Sequence, residues 1–87
     1  MEFTGTGDLL RKMRLIAGLT QENMASKMHM SRSTISRLEN EEIEIRITDF
    51  WDWVKTTQGQ DMLITFMMSA DILTTAPTVI NTILSIL

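Results

Sequence analysis

Eighty-seven residues carrying a formal charge of −3 make one small domain, with no room for a second independent core. The lack of cysteine excludes a disulfide framework and a thiolate metal site. The greasiest run, Met62 to Leu73, is broken by Thr65, Ser69 and Asp71 and is too short for a bilayer, and no arginine-flanked apolar leader opens the chain, so the expectation is a soluble, cytoplasmic protein.

In chain order, residues Met1 to Thr6 read as a flexible lead-in, with Gly5 and Gly7 in an unstructured leader rather than a phosphate loop. Leu10, Met13 and Ala17 at helical spacing predict a first helix from Gly7 to Ala17, stopped by Gly18. Thr20 is expected to cap a second helix, whose buried face is Met24, Ala25 and Met28. A turn at Met28-His29-Met30 leads to Ser31, the expected cap of a third helix with Ile35 and Leu38 inward. Thr48 is expected to cap a fourth helix, in which Phe50, Trp53 and Val54 close the core. Trp51 and Trp53 cannot share a helix face, so one belongs inside and the other near solvent or an interface.

The segment Gln60 to Met68 fits a strand by alternation and a buried helix by composition, and the reading leans to helix. Pro77 suits a first helical position, after which Val79, Ile80, Ile83, Leu84 and Leu87 form one apolar stripe. The methionines Met24, Met28, Met30, Met62, Met67 and Met68 read as core filling, and the acidic run Glu39 to Glu44 as a solvated loop. The division expected is a lead-in over 1–6, a four-helix unit over 7–57 and an apolar extension over 58–87.

The charge is unevenly spread. Between Asp8 and Arg37 six basic residues face two acids, a local +4, whereas between Leu38 and Asp52 six acids face Arg46, a local −5. Local field, not the total, steers a polyanion. The positive part coincides with the predicted second and third helices. On the third, Arg32, Ser33, Ser36, Arg37 and Asn40 share one outward face, the layout of a helix pushed into the DNA major groove. Arginine chelates guanine O6 and N7, worth roughly 1–3 kcal/mol of discrimination. Thr20 and Gln21 offer polar groups where a phosphate would pass, beside free helix N–H groups. The single His29 and the absence of a glycine-rich loop leave no enzyme signature, metal site or cofactor site to expect.

The stretch LTQENMASKMHMSRSTISRLEN, Leu19 to Asn40, resembles the lambda-repressor-like, Cro/XRE-type helix-turn-helix family. The Thr-Gln opening of the second helix, Ala25, Ser31 and the Ile-Ser-Arg-Leu-Glu-Asn close carry the resemblance, with LLRKMRLIAGL and Phe50 to Val54 similar to its first and fourth helices. It implies an all-α, compact helical bundle, and a homodimer that represses transcription at a palindromic operator in double-stranded DNA, of phage or mobile-element type. It further implies base contacts from Arg32, Ser33, Ser36 and Arg37, phosphate contacts from Thr20, Gln21, Ser31, Thr34 and Asn40, and a structural or backbone-near role for Arg14. Two departures stand out: His29 sits where the family carries glycine, and the following loop, Glu41-Glu42-Ile43-Glu44, is acidic rather than basic. That loop is expected to point away from DNA or to touch a partner.

After Lys55 only Asp61 and Asp71 are charged. The four preceding helices are expected to form a complete core, leaving this tail to cover itself in a dimer through Phe66, Val79, Ile80, Ile83, Leu84 and Leu87; the alternative is that the tail folds back and finishes a larger monomeric core. Burying ~600 Å² of it per subunit would offer ~15 kcal/mol before ordering losses. A two-fold dimer sets its reading helices ~34 Å apart. The alternative function is an antitoxin that represses its own operon and binds a toxin; no membrane partner is expected.

Overall fold

The computed structural model describes residues 3–69 and Ile86. Five helices lie there: α1 (Thr6–Ile16), α2 (Gln21–Met28), α3 (Arg32–Glu39), α4 (Ile47–Thr57) and α5 (Gln60–Ser69). Among the described residues there is no strand, and the fold is all-α with a helix-turn-helix, as expected. The stripe residues Val79, Ile80, Ile83, Leu84 and Leu87 lie outside the described residues.

Local chemistry sets most boundaries. α1 closes where Gly18 turns left-handed at φ 76° and the Leu19 N–H reaches back to the Arg14 carbonyl. The Thr20 hydroxyl accepts from the Asn23 N–H at 3.0 Å, and the Ser31 hydroxyl accepts from the Thr34 N–H at 3.1 Å, so both expected caps are in place. Between them His29 takes φ 55° and ψ 42°, the left-handed turn anticipated for it.

One cap is corrected. α4 starts at Ile47, not after Thr48, and its N-cap residue Arg46 makes no side-chain cap bond. Thr48 falls within the first turn, because Asp49 there complements the helix dipole and accepts from Arg46 Nε at 3.1 Å, anchoring the start without a hydroxyl.

The core joins Leu9, Leu10 and Met13 of α1 to Met24 and Ala25 of α2, Ile35 and Leu38 of α3, and Trp53 and Val54 of α4. Phe50 flanks it half-buried. Trp53 is fully buried and its indole N–H donates to the Leu10 carbonyl at 3.1 Å, while Trp51 is half exposed. The four helices do not complete this core, contrary to expectation: α5 packs on α1 and α4, adding Met62, Leu63 and Phe66. Packing against helices decides helix over strand for this segment, and leaves Ile64 and Met68 outward. Of the methionines, Met24 is buried and Met28, Met30 and Met62 pack on the core.

The N-terminal side is also corrected. Phe3 meets Phe66 edge-on with centroids 5.4 Å apart, and the Thr4 N–H donates to Asp8. Gly7 is no leader residue: it lies buried in α1, where a Cβ would run into the Glu39 carbonyl oxygen. Glycine here lets α1 and α3 approach backbone to backbone.

Candidate nucleic-acid interface

α2 and α3 pack against each other, Ala25 of α2 is buried in the core they share, and the left-handed His29 sets the bend. That geometry turns Ile35 and Leu38 inward and presents Arg32, Ser33 and Arg37 to solvent. Ser36 sits half-buried on the same helix and accepts from Asn40 Nδ2 at 3.4 Å. Of the phosphate candidates, Thr20 and Ser31 are exposed but their hydroxyls also serve as caps, and Thr34 Oγ1 lies 2.9 Å from Ser31 Oγ.

Arg32 is 64% exposed and meets the still more exposed Glu22 at 3.8 Å. An exposed pair of this kind contributes about 0–1 kcal/mol. A pair this weak and exposed does not tie the Arg32 guanidinium down.

A buried carboxylate fixes the arrangement from behind. The Glu39 side chain is fully buried and accepts from Arg14 Nε at 2.6 Å, from Arg14 Nη2 at 3.1 Å and from Gln21 Nε2 at 3.1 Å. Arg14 also donates to the Leu19 carbonyl at 2.9 Å. Three helices thus meet on one carboxylate, and no buried side-chain nitrogen or oxygen of the pair is left without a partner. Arg11 adds a cation 3.8 Å from Glu39 and donates to Asn40 Oδ1 at 3.1 Å.

Glu39 is the correction of most consequence. It belongs to α3, not to a solvated acidic loop. Its signal was in the spacing: Ile35, Leu38 and Glu39 are one inward stripe, so a charge at that position required a buried cation. The roles of Arg11 and Glu22 carry no such local signal. Gln21 and Asn40, expected to face phosphates, are instead bonded within the protein, to Glu39 and Arg11 respectively. Glu41 turns back, with a left-handed backbone at φ 59°, so that its carboxylate lies against Gly5 at the start of α1. A negative charge is favoured at that helix end.

Among the described residues no helix is long and apolar enough to cross a membrane. No curated protein and no solved structure matches the chain. A helix-turn-helix family model matches residues 10–58, more than half of the sequence, and spans α1 to α4. With the two helices, the left-handed turn and the buried Arg14–Glu39 anchor in place, the chain belongs to the Cro/C1-type helix-turn-helix family, the DNA-binding transcription regulators of XRE type.

Proposed function

We propose that the protein is a cytoplasmic, homodimeric repressor of the phage or mobile-element kind that binds a palindromic operator. Arg32, Ser33, Ser36 and Arg37 read base edges, and Thr20, Gln21, Ser31, Thr34 and Asn40 hold the phosphates on either side. The observation that supports this reading is the exposure of Arg32, Ser33 and Arg37 along a helix braced from behind by Glu39. A rigid support removes the ordering cost that would otherwise oppose base contact. The apolar tail, Val79, Ile80, Ile83, Leu84 and Leu87, is proposed to contribute to self-association, whereas Phe66, also expected there, packs on the core against Phe3.

The test begins with selection of an operator from a random duplex pool, followed by fluorescence anisotropy with the selected duplex. Arg32→Ala combined with Arg37→Ala should weaken binding by roughly 30-fold or more, as two base contacts are lost. Affinity equal to the parent would overturn the assignment. Binding should also fall steeply with salt, through counterion release. An antitoxin would use the same DNA face and differ by a second protein partner; the half-exposed Trp51 on α4 favours that second reading.

A further inference from the structure

The segment between α3 and α4, Glu42-Ile43-Glu44-Ile45-Arg46-Ile47, alternates charged and apolar residues strictly. Period two is the signature of a strand. Yet Glu44 to Arg46 adopt no regular structure within the chain, and Arg46 has an extended backbone at φ −71° and ψ 149°. Among the described residues, the N–H groups of Ile43, Glu44, Ile45 and Arg46 find no hydrogen-bond partner, nor do the carbonyls of Ile43, Glu44 and Ile45. An exposed run of unpaired backbone groups is a template for a second strand.

The sequence of the segment says which strand. We propose that it pairs with itself in a second copy of the chain, as a short antiparallel ladder with its two-fold axis at Ile45. In that register Glu44 faces Arg46 of the partner subunit, Ile45 faces its own twin, and Ile43 faces Ile47 of the partner subunit. Centring on Glu44 instead sets carboxylate against carboxylate, and centring on Arg46 sets guanidinium against guanidinium. A one-residue shift opposes charged to apolar side chains. The Ile45 register alone is self-complementary in both charge and apolarity, as a two-fold interface requires.

The surface around the segment fits the same partner. Ile47 is 79% exposed, the most exposed of the large apolar side chains of α1 to α5. Beside Ile43 opens a groove of roughly 600 Å³, lined by Leu10, Leu38, Ile45 and Phe50 among others. Pairing at Ile45 brings Ile47 of the partner subunit to Ile43, at the mouth of that groove. The seam lies at the C-terminal end of α3, so Arg32 and Ser33 at the other end stay uncovered. This deepens the two-fold assembly proposed above by naming a surface for it, apart from the apolar tail.

Sedimentation equilibrium of the full chain without DNA tests it by charge reversal. Glu44→Arg places two guanidinium groups opposite each other twice over, and Arg46→Glu does the same with carboxylates. Each should weaken self-association about tenfold or more, since two symmetric pairs turn from attractive to repulsive. An equimolar mixture of the two variants should associate, because both guanidinium groups of one chain then face the two carboxylates of the other. The double variant E44R/R46E should regain the parent's mass. Asp49→Ala, which removes only the internal partner of Arg46, should leave mass unchanged. A monomeric parent, single variants that associate like the parent, or a mixture and double variant that fail to recover would each overturn the seam. No duplex is present and the reading arginines are untouched, so failure here is distinct from failure of the DNA assignment.

Discussion

Replacing Gly7 by alanine tests how closely α1 and α3 must approach. The new Cβ would collide with the Glu39 carbonyl oxygen and sit 2.9 Å from its carbonyl carbon, against 3.4–4 Å for ordinary contact. Both partners are backbone, so the helices must part by about an ångström rather than a side chain rotating away. Overpacking of this kind costs about 1–3 kcal/mol, and rigid backbone on both sides puts it at the upper end. Alanine recovers about 1 kcal/mol of helix propensity. The net loss of about 2 kcal/mol corresponds to a fall in melting temperature of roughly 8–16 °C for a domain of this size. Gly5→Ala is the matched control: its Cβ meets the Glu41 carboxylate at 2.8 Å, the far end of an exposed, flexible side chain that can swing away. Thermal unfolding followed by circular dichroism should therefore show a large fall for Gly7→Ala and a small one for Gly5→Ala. Equal melting temperatures, or a stabilised Gly7→Ala, would refute the close-approach argument.

Glu39→Ala leaves Arg14 buried and unpaired and should cost about 3–5 kcal/mol, read as a lowered urea midpoint. Arg32→Ala, on the exposed rim, should leave that midpoint within about 0.5 kcal/mol of the parent. His29→Gly relieves the left-handed strain at φ 55° and should raise stability by about 0.5–1 kcal/mol, read in the same titration. The Lys12 ammonium, and after it the Thr4 N–H, holds the Asp8 carboxyl below its ordinary value of 3.8. A lowered folded-state pKa contributes stability above the ordinary value and loses it as pH falls through the lower one. Asp8→Asn should thus be less stable than the parent at neutral pH, with the gap closing in strong acid; a gap constant with pH would contradict the ion pair's role.

What could be read from sequence was local. Thr20 and Ser31 cap helices through hydroxyls three residues from their targets, and Gly18 ends one by its own conformational freedom, so all three were legible. Arg32, Ser33 and Arg37 were legible as an outward face because helix periodicity alone separates them from Ile35 and Leu38. Contacts between distant segments were not. Glu39 is held by an arginine 25 positions away, Phe3 by Phe66 near the other end, and Gly7 by the backbone of Glu39. Thr48 misled because a good capping residue two positions inside a helix looks the same in sequence as one at its start. The segment from Gln60 to Met68 was undecided because nearly continuous apolarity carries no period, and its neighbours α1 and α4 decide for it.

One carboxylate bonded to groups on both other helices has a kinetic meaning. α3 has no private opening mode: to peel away, it must break contacts that also hold α1 and α2. Slow-exchanging amides of α1 and α3 should therefore trade their protons for deuterons at a common rate, as one cooperative unit. Recognition and scaffold would then be lost together, never one before the other.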